Sequence, residues 1–370
     1  MSTPLYACDE WPNQKPDQAH GGLWFDRFFN RYSPNWTLVD TAKKSWIDTV
    51  TNLTVTGNDE QLAETNARQL TLVSHLNGRS ERYTSDWHFV SGMGNPHPVE
   101  NGMSWHPTLA VPYLAGSAVK GLVRAWVESN EDGLSEQNQK ARLRAWFGTE
   151  YKGDVAEQAG GLIFFDALPD RRPTLLCDIM TPHMGKWYSE GDQVCLNSPD
   201  KLPADWHEPV PIPFLAVRDI RLIFSIAPRQ AALAEQLDAV FDALNNALEW
   251  LGAGAKTATG YGYLSLDSTY AEEKQAIQKK QARQAKQATL TEEQKEIEKL
   301  RQQFEDKQSK NITEAIGGPL YNDLKKLVEQ TDAWPEAERA ELLELAQSIV
   351  VYVNAKKSAK AKELLQRLRN

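Results

Sequence analysis

Residues 252–262 read Gly-Ala-Gly-Ala-Lys-Thr-Ala-Thr-Gly-Tyr-Gly. Before them, residues 230–251 place Leu233, Leu237, Val240, Phe241, Leu244, Leu248 and Leu251 along one helical face. After them, residues 263–266 read as a short strand. A helix that hands over to a strand through such a loop belongs to an α+β fold, with helices covering one face of a sheet. Gly252, Gly254, Gly260 and Gly262 let the backbone approach another surface closely. Lys256 and Thr257 offer that surface a charge and a hydroxyl. From the loop alone two readings stay open: a phosphate-contacting hairpin, or a glycine-rich turn with a solvated lysine.

Two nucleotide-binding motifs do not fit. A P-loop needs Gly directly before Lys, and Ala255 stands there. A Rossmann fingerprint follows a strand and opens a helix, whereas here the order is reversed.

A second stretch, residues 112–126, reads Pro-Tyr-Leu-Ala-Gly-Ser-Ala-Val-Lys-Gly-Leu-Val-Arg-Ala-Trp. Gly116 and Ser117 mark a helix start with Ser117 as N-cap. Val119, Leu122, Val123 and Trp126 form its buried face. Lys120 and Arg124 share the other face. A lysine in the first turn opposes the helix dipole; an anion at the helix N-terminus would reconcile the two. The alternative is an ordinary amphipathic helix with two exposed cations.

The chain of 370 residues has room for one large domain with an appendage, or for two domains. Its three cysteines, Cys8, Cys177 and Cys195, form no CxxC pair. That argues for a reducing, cytoplasmic setting without zinc or disulfides. No histidine spacing suits a metal, no cofactor motif is present, and no apolar run is long enough to span a bilayer. The net charge is −9, distributed as −11 over residues 1–268 and +2 over 269–370. An acidic body repels bulk nucleic acid, so any contact with such a polyanion would come from local spots such as Lys120, Arg124 and Lys256, and within an assembly.

Along the chain, residues 59–76 read as a helix, 83–91 as a strand, 117–129 and 135–147 as helices, and 162–167 and 174–180 as strands. Residues 184–208 form a polar insertion, and strands follow at 214–217 and 221–226. Beyond 267 the composition turns to Glu, Lys, Gln, Ala and Arg. Residues 269–310 read as a charged, solvent-exposed helical linker and 311–370 as a small helical bundle. The basic run 274–286 reads as a solvated helix, with RNA contact as the alternative.

Read together, these stretches resemble the RAMP superfamily of CRISPR-associated proteins, in particular the sixth-subunit group of Cmr (type III-B) effector complexes. Further segments carry the resemblance in order: His20-Gly-Gly-Leu-Trp-Phe-Asp-Arg-Phe-Phe29, Phe89-Val-Ser-Gly-Met-Gly94 and His97-Pro-Val-Glu-Asn-Gly102. They continue with Gly161-Leu-Ile-Phe-Phe-Asp-Ala-Leu-Pro169, Asp178-Ile-Met-Thr-Pro-His183 and Pro211-Ile-Pro-Phe-Leu-Ala-Val217. One departure is Ala115, where the family commonly has proline. The resemblance spans residues 20 to 267. It implies a ferredoxin-like (RRM-like) core over residues 1–268, followed by an all-helical extension.

The resemblance also implies a non-catalytic subunit that caps the crRNA–backbone filament near the crRNA 3′ end. Its partners would be crRNA, target RNA, the backbone RAMP subunit, the small subunit and a neighbouring head RAMP subunit, with no membrane. Gly116 and Ser117 would take phosphate through backbone N–H groups, while Lys120, Arg124 and Lys256 neutralise it. Gly252, Gly254 and Gly260 would let the loop approach the strand, and Tyr261 would stack on a base or sugar. Such contacts carry little sequence information, as a variable guide requires. Two other readings stay open. His183, otherwise a loop histidine that meets RNA or a neighbouring subunit, would with Lys186 and Tyr188 nearby serve metal-free RNA cleavage as a general acid or base. Alternatively, the chain is a protein-only assembly scaffold.

Overall fold

In the computed structural model, residues 15–369 are described apart from 17–18, 34, 39, 52–55, 131–134, 150–157, 191–200, 205–206, 276, 278–289, 311, 332–333 and 356–357. The chain divides into two compact units, residues 1–270 and 271–370. Among the described residues no helix is long and apolar enough to cross a membrane.

Three helices open the first unit: α1 (Gly21–Arg27), α2 (Asp40–Thr51) and α3 (Asp59–His75). Helix α3 begins where the Asn58 side chain accepts from the Glu60 and Gln61 amides, with Asp59 and Glu60 complementing the helix dipole. Strand β1 (Arg79–Ser85), helices α4 (Gly116–Ser129) and α5 (Glu136–Phe147), and strands β2 (Leu162–Phe164) and β3 (Leu168–Pro169) follow. Then come β4 (Thr174–Met180), α6 (Gly185–Glu190), β5 (Ile212–Arg218), β6 (Arg221–Pro228), α7 (Leu237–Trp250) and β7 (Leu264–Leu266).

The main sheet has the order β2-β6-β1-β7, with β3 also on β6, and all its pairings are antiparallel. Strand β6 sits inside the sheet and buries Leu222, Phe224, Ile226 and Ala227. Helices α4 and α7 pack on one another. Val119, Val123 and Val127 of the first join Val240, Phe241, Leu244 and Leu248 of the second in the core under the sheet. Each such side chain contributes about 1.5–3 kcal/mol by leaving water. Strands β4 and β5 form a separate hairpin, in register from Thr174↔Arg218 to Met180↔Ile212, and α2 packs on it.

The first strand differs from the sequence reading. It starts at Arg79, not Tyr83, and ends at Ser85; Phe89 makes only an isolated bridge to Val217. Its polar start is satisfied inside the sheet. Ser80 shares a hydrogen bond with Ser225 (2.8 Å). Arg82, only 2% exposed, donates to Asp267 Oδ2 (2.9 Å) and Asp170 Oδ2 (3.1 Å). Arg221 also pairs with Asp170 (2.6 Å), and the Arg82 guanidinium lies 4.9 Å from the Tyr270 ring centroid. A buried guanidinium is tolerable because two carboxylates surround it.

A second difference lies at 230–251. The run begins as a 3₁₀ turn, Ala231–Gln236, and becomes α-helical only at Leu237. Leu233 there reaches Gly161, where a Cβ would lie 2.2 Å from its Cδ1.

The second unit contains α8 (Glu292–Ser309), α9 (Pro319–Glu329), α10 (Glu336–Tyr352) and α11 (Ala359–Arg367). Helix α8 opens with a capping box, Thr291 with Gln294. It is not wholly solvated, since Ile297, Leu300 and Phe304 enter a core with Leu324, Leu342 and Ile349. Much of the basic run 274–286 lies outside the described residues.

Candidate nucleic-acid interface

The glycine loop is stitched to the extended segment that follows β1. Ala255 N donates to Val90 O (2.7 Å), Gly262 N to His88 O (2.9 Å) and Ala253 N to Gly262 O (2.7 Å). At Gly254, φ is +92° and a Cβ would sit 2.1 Å from Val90 O. Its freedom therefore serves the chain's own packing, not the approach of a ligand. Gly252 likewise faces Thr257, with a Cβ 3.0 Å from the Thr257 methyl. Gly260, at φ +97°, is different: a Cβ there would meet nothing within 4 Å.

Lys256 is held in the left-handed region, φ 59°, a conformation that costs a non-glycine residue about 1 kcal/mol. Its Nζ lies 5.5 Å from the Phe214 ring centroid and 5.9 Å from that of Tyr261. The same Nζ lies 4.0 Å from Met180 Sδ. Among the described residues it forms no ion pair. Its positive charge is oriented by aromatic faces and not neutralised.

Tyr261 donates its hydroxyl to Asp178 Oδ2 (2.6 Å). Burial, then the bond to Asp178, push its pKa far above the ordinary value, so it stays a neutral donor. Burial lowers the His88 pKa against the pull of Asp178, favouring the neutral imidazole. Trp87 beside it is 60% exposed. Its ring centroid is 6.5 Å from that of Tyr261, with planes 22° apart. The result is an open aromatic face beside an unneutralised lysine.

The sequence reading gave Trp87, Asp178 and Phe214 no part in the site. Asp178 and Phe214 are register partners in the β4–β5 hairpin. Their meeting with Tyr261 depends on that pairing, which sequence spacing does not encode. Trp87 lies in a stretch that sequence patterning assigns to a strand, which would hide its exposure.

At the other predicted phosphate contact the reading is corrected. Ala115, not Ser117, is the N-cap of α4, and Ser117 is exposed inside the first turn. The Gly116 amide is already taken: it donates to Asp166 Oδ1 at 2.7 Å. A carboxylate from 50 residues downstream thus fills the place proposed for phosphate. Gly116 is glycine because the helix start presses on β2, where a Cβ would lie 2.3 Å from Phe164 O. Arg124 Nε pairs with Glu128 at 2.7 Å. Lys120 is half-buried on the same helix. His183 is exposed between β4 and α6.

The two motifs do come to one region. Val90 O holds the glycine loop, and Ser91 Oγ donates to Tyr113 O (3.0 Å), just before α4. Residues 88–91 therefore bridge the loop to the lead-in of α4. Tyr113 in turn packs edge-on against His106 at 5.3 Å. Burial, then Asp166, raise the Tyr113 pKa.

Residues 46–265 match the model of the RAMP superfamily. The CRISPR system Cmr subunit Cmr6 of Pyrococcus furiosus is 27% identical over 243 residues, covering 52% of this chain and 69% of that protein. The subunit of the same name from Saccharolobus solfataricus is 36% identical over 95 residues, covering 25% and 29%. Among solved structures, a type III-B Cmr-beta complex bound to cognate target RNA contains a chain 20% identical. It covers 62% of this chain and 72% of that one, with TM-score 0.48. The crystal structure of Pyrococcus furiosus Cmr6 is 25% identical, covering 51% and 97%, with TM-score 0.28.

Proposed function

The chain belongs to the RAMP superfamily, and from that premise we propose that it is a non-catalytic RNA-binding subunit of a type III-B CRISPR effector complex. In this reading it caps the backbone filament near the crRNA 3′ end and contributes to target RNA binding. The supporting observation is Lys256, held over Phe214 and Tyr261 with no carboxylate paired to it among the described residues, while the exposed Trp87 lies beside Tyr261. A cation for a phosphate beside an aromatic face for a base suits a single strand of any sequence. The sheet order, with α4 and α7 as its two crossover helices, supports a ferredoxin-like core. The four helices of residues 292–367 support an appended helical module.

The test assembles the complex with Lys256→Ala and, separately, Trp87→Ala protein, and measures crRNA retention against salt. Losing one phosphate contact should lower the log–log salt slope by about 0.7. Losing a stacked base should weaken retention about tenfold with the slope unchanged. Target cleavage per bound complex should survive both changes. Unchanged retention in both variants would make the chain a protein-only scaffold. Loss of cleavage in His183→Ala with RNA bound normally would make it a nuclease.

A further inference from the structure

The second unit carries a cleft of about 810 Å³ where α9, α10 and α11 converge, a volume suited to a nucleotide-sized ligand. Lys325 of α9, Arg339 of α10, and Lys360 and Arg367 of α11 line it. Tyr321 and Leu364, both nearly buried, supply an apolar floor. Among the described residues the lining holds these four cations against two carboxylates, Glu329 and Glu363. Lys325 reaches Glu329 at 3.8 Å, and Arg367 Nη2 donates to the Glu329 carbonyl at 3.4 Å. The Arg339 Nε–H is shut off from solvent and, among the described residues, has no acceptor. Among the described residues Lys360 makes no ion pair. The sequence sharpens the asymmetry: residues 355–369 hold six Lys and Arg against the single Glu363, in a chain of net charge −9.

We propose that this cleft is a second RNA site, which holds the phosphodiester backbone of a single strand with a base laid on the Tyr321–Leu364 floor. It rests on the reading above that the chain works on RNA. The chemistry favours phosphate because Arg339 and Arg367 present planar forks that match paired phosphate oxygens. Three helices fix these cations relative to one another, which a solvated charge run does not.

The test uses the full chain and a fluorescent single-stranded oligouridine RNA, titrated at several salt concentrations. Lys360→Glu/Arg367→Glu should weaken binding about tenfold or more and lower the salt slope by about 1.4, for two lost phosphate contacts. Unfolding is followed in parallel. Should the charge reversal lower the melting temperature, Lys360→Ala/Arg367→Ala replaces it, with a loss of about threefold expected. Unchanged affinity and slope, with Lys256→Ala still weaker, would overturn the cleft while leaving the proposed function standing. Insensitivity of binding to both sets of changes would overturn both. Loss of another subunit from the assembled complex with RNA affinity intact would make the cleft a protein-docking site and overturn the proposal.

Discussion

The glycine loop and the start of α4 look alike as sequences: small residues, a hydroxyl, and a lysine within a few positions. The fold treats them oppositely. At α4 the anion is built in, because Asp166 takes the Gly116 amide. At the loop the cation is built in and its partner is not, because Lys256 rests on Phe214 and Tyr261. A motif that offers charge is therefore only half a site; whether the fold has already answered that charge decides the rest.

The largest effect should come from Gly254→Ala, where a methyl group meets Val90 O at 2.1 Å and φ is +92°. A loss of about 3 kcal/mol in urea unfolding is expected. Gly260→Ala, with open space around it, should lose only about 1–2 kcal/mol. Equal losses would mean that backbone angle alone, and not the stitching to residues 88–90, holds the loop.

Next in size is Asp166→Ala, which strips the α4 start of its carboxylate. Stability should fall by about 1–2 kcal/mol and RNA affinity should stay the same. A rise in RNA affinity would break the comparison, since it would expose α4 as a phosphate site that Asp166 had been masking.

Tyr261→Phe removes the bond to Asp178 and should cost about 1 kcal/mol at neutral pH. The folded-state pKa of Tyr261 is raised above its unfolded value near 10. Its contribution is thus fully present below about pH 10 and lost as pH rises through the folded value. Wild-type protein should therefore lose stability above pH 10 more steeply than Tyr261→Phe. Parallel curves would show that the tyrosine is not held as a neutral donor.

The smallest effect belongs to Ser117→Ala, within about 0.5 kcal/mol. A drop of 1 kcal/mol or more in a thermal melt would restore Ser117 as the helix cap.

What could be read from the sequence was local. Thr174–Met180 pairs along its whole predicted length, and α4 and α7 bury the apolar faces that their spacing sets out. Glycine-rich punctuation marked the turn between α7 and β7, where Gly252, Gly254, Gly260 and Gly262 all have positive φ. Long-range polar answers were not legible. Ser80 and Arg82 lie before the strand as read from sequence, and only the folded sheet brings Ser225, Asp170 and Asp267 to them. Asp166 reads as a strand end until it folds back to Gly116. For the same reason Ile297, Leu300 and Phe304, sparse in a charged stretch, gave no sign of the partners they find in α9 and α10.

Arg82 also bears on how the first unit resists being pulled. Strand β7 is only three residues long, and on its own it would peel from the sheet one hydrogen bond at a time. Tension entering at residue 271 meets Tyr270 and Asp267 first, and both engage the same guanidinium in the middle of β1. The tug is diverted from the frail edge to an interior strand, where it acts as shear across several bonds at once. Forces transmitted along the tail during assembly would then stretch the tail before they unzip the sheet.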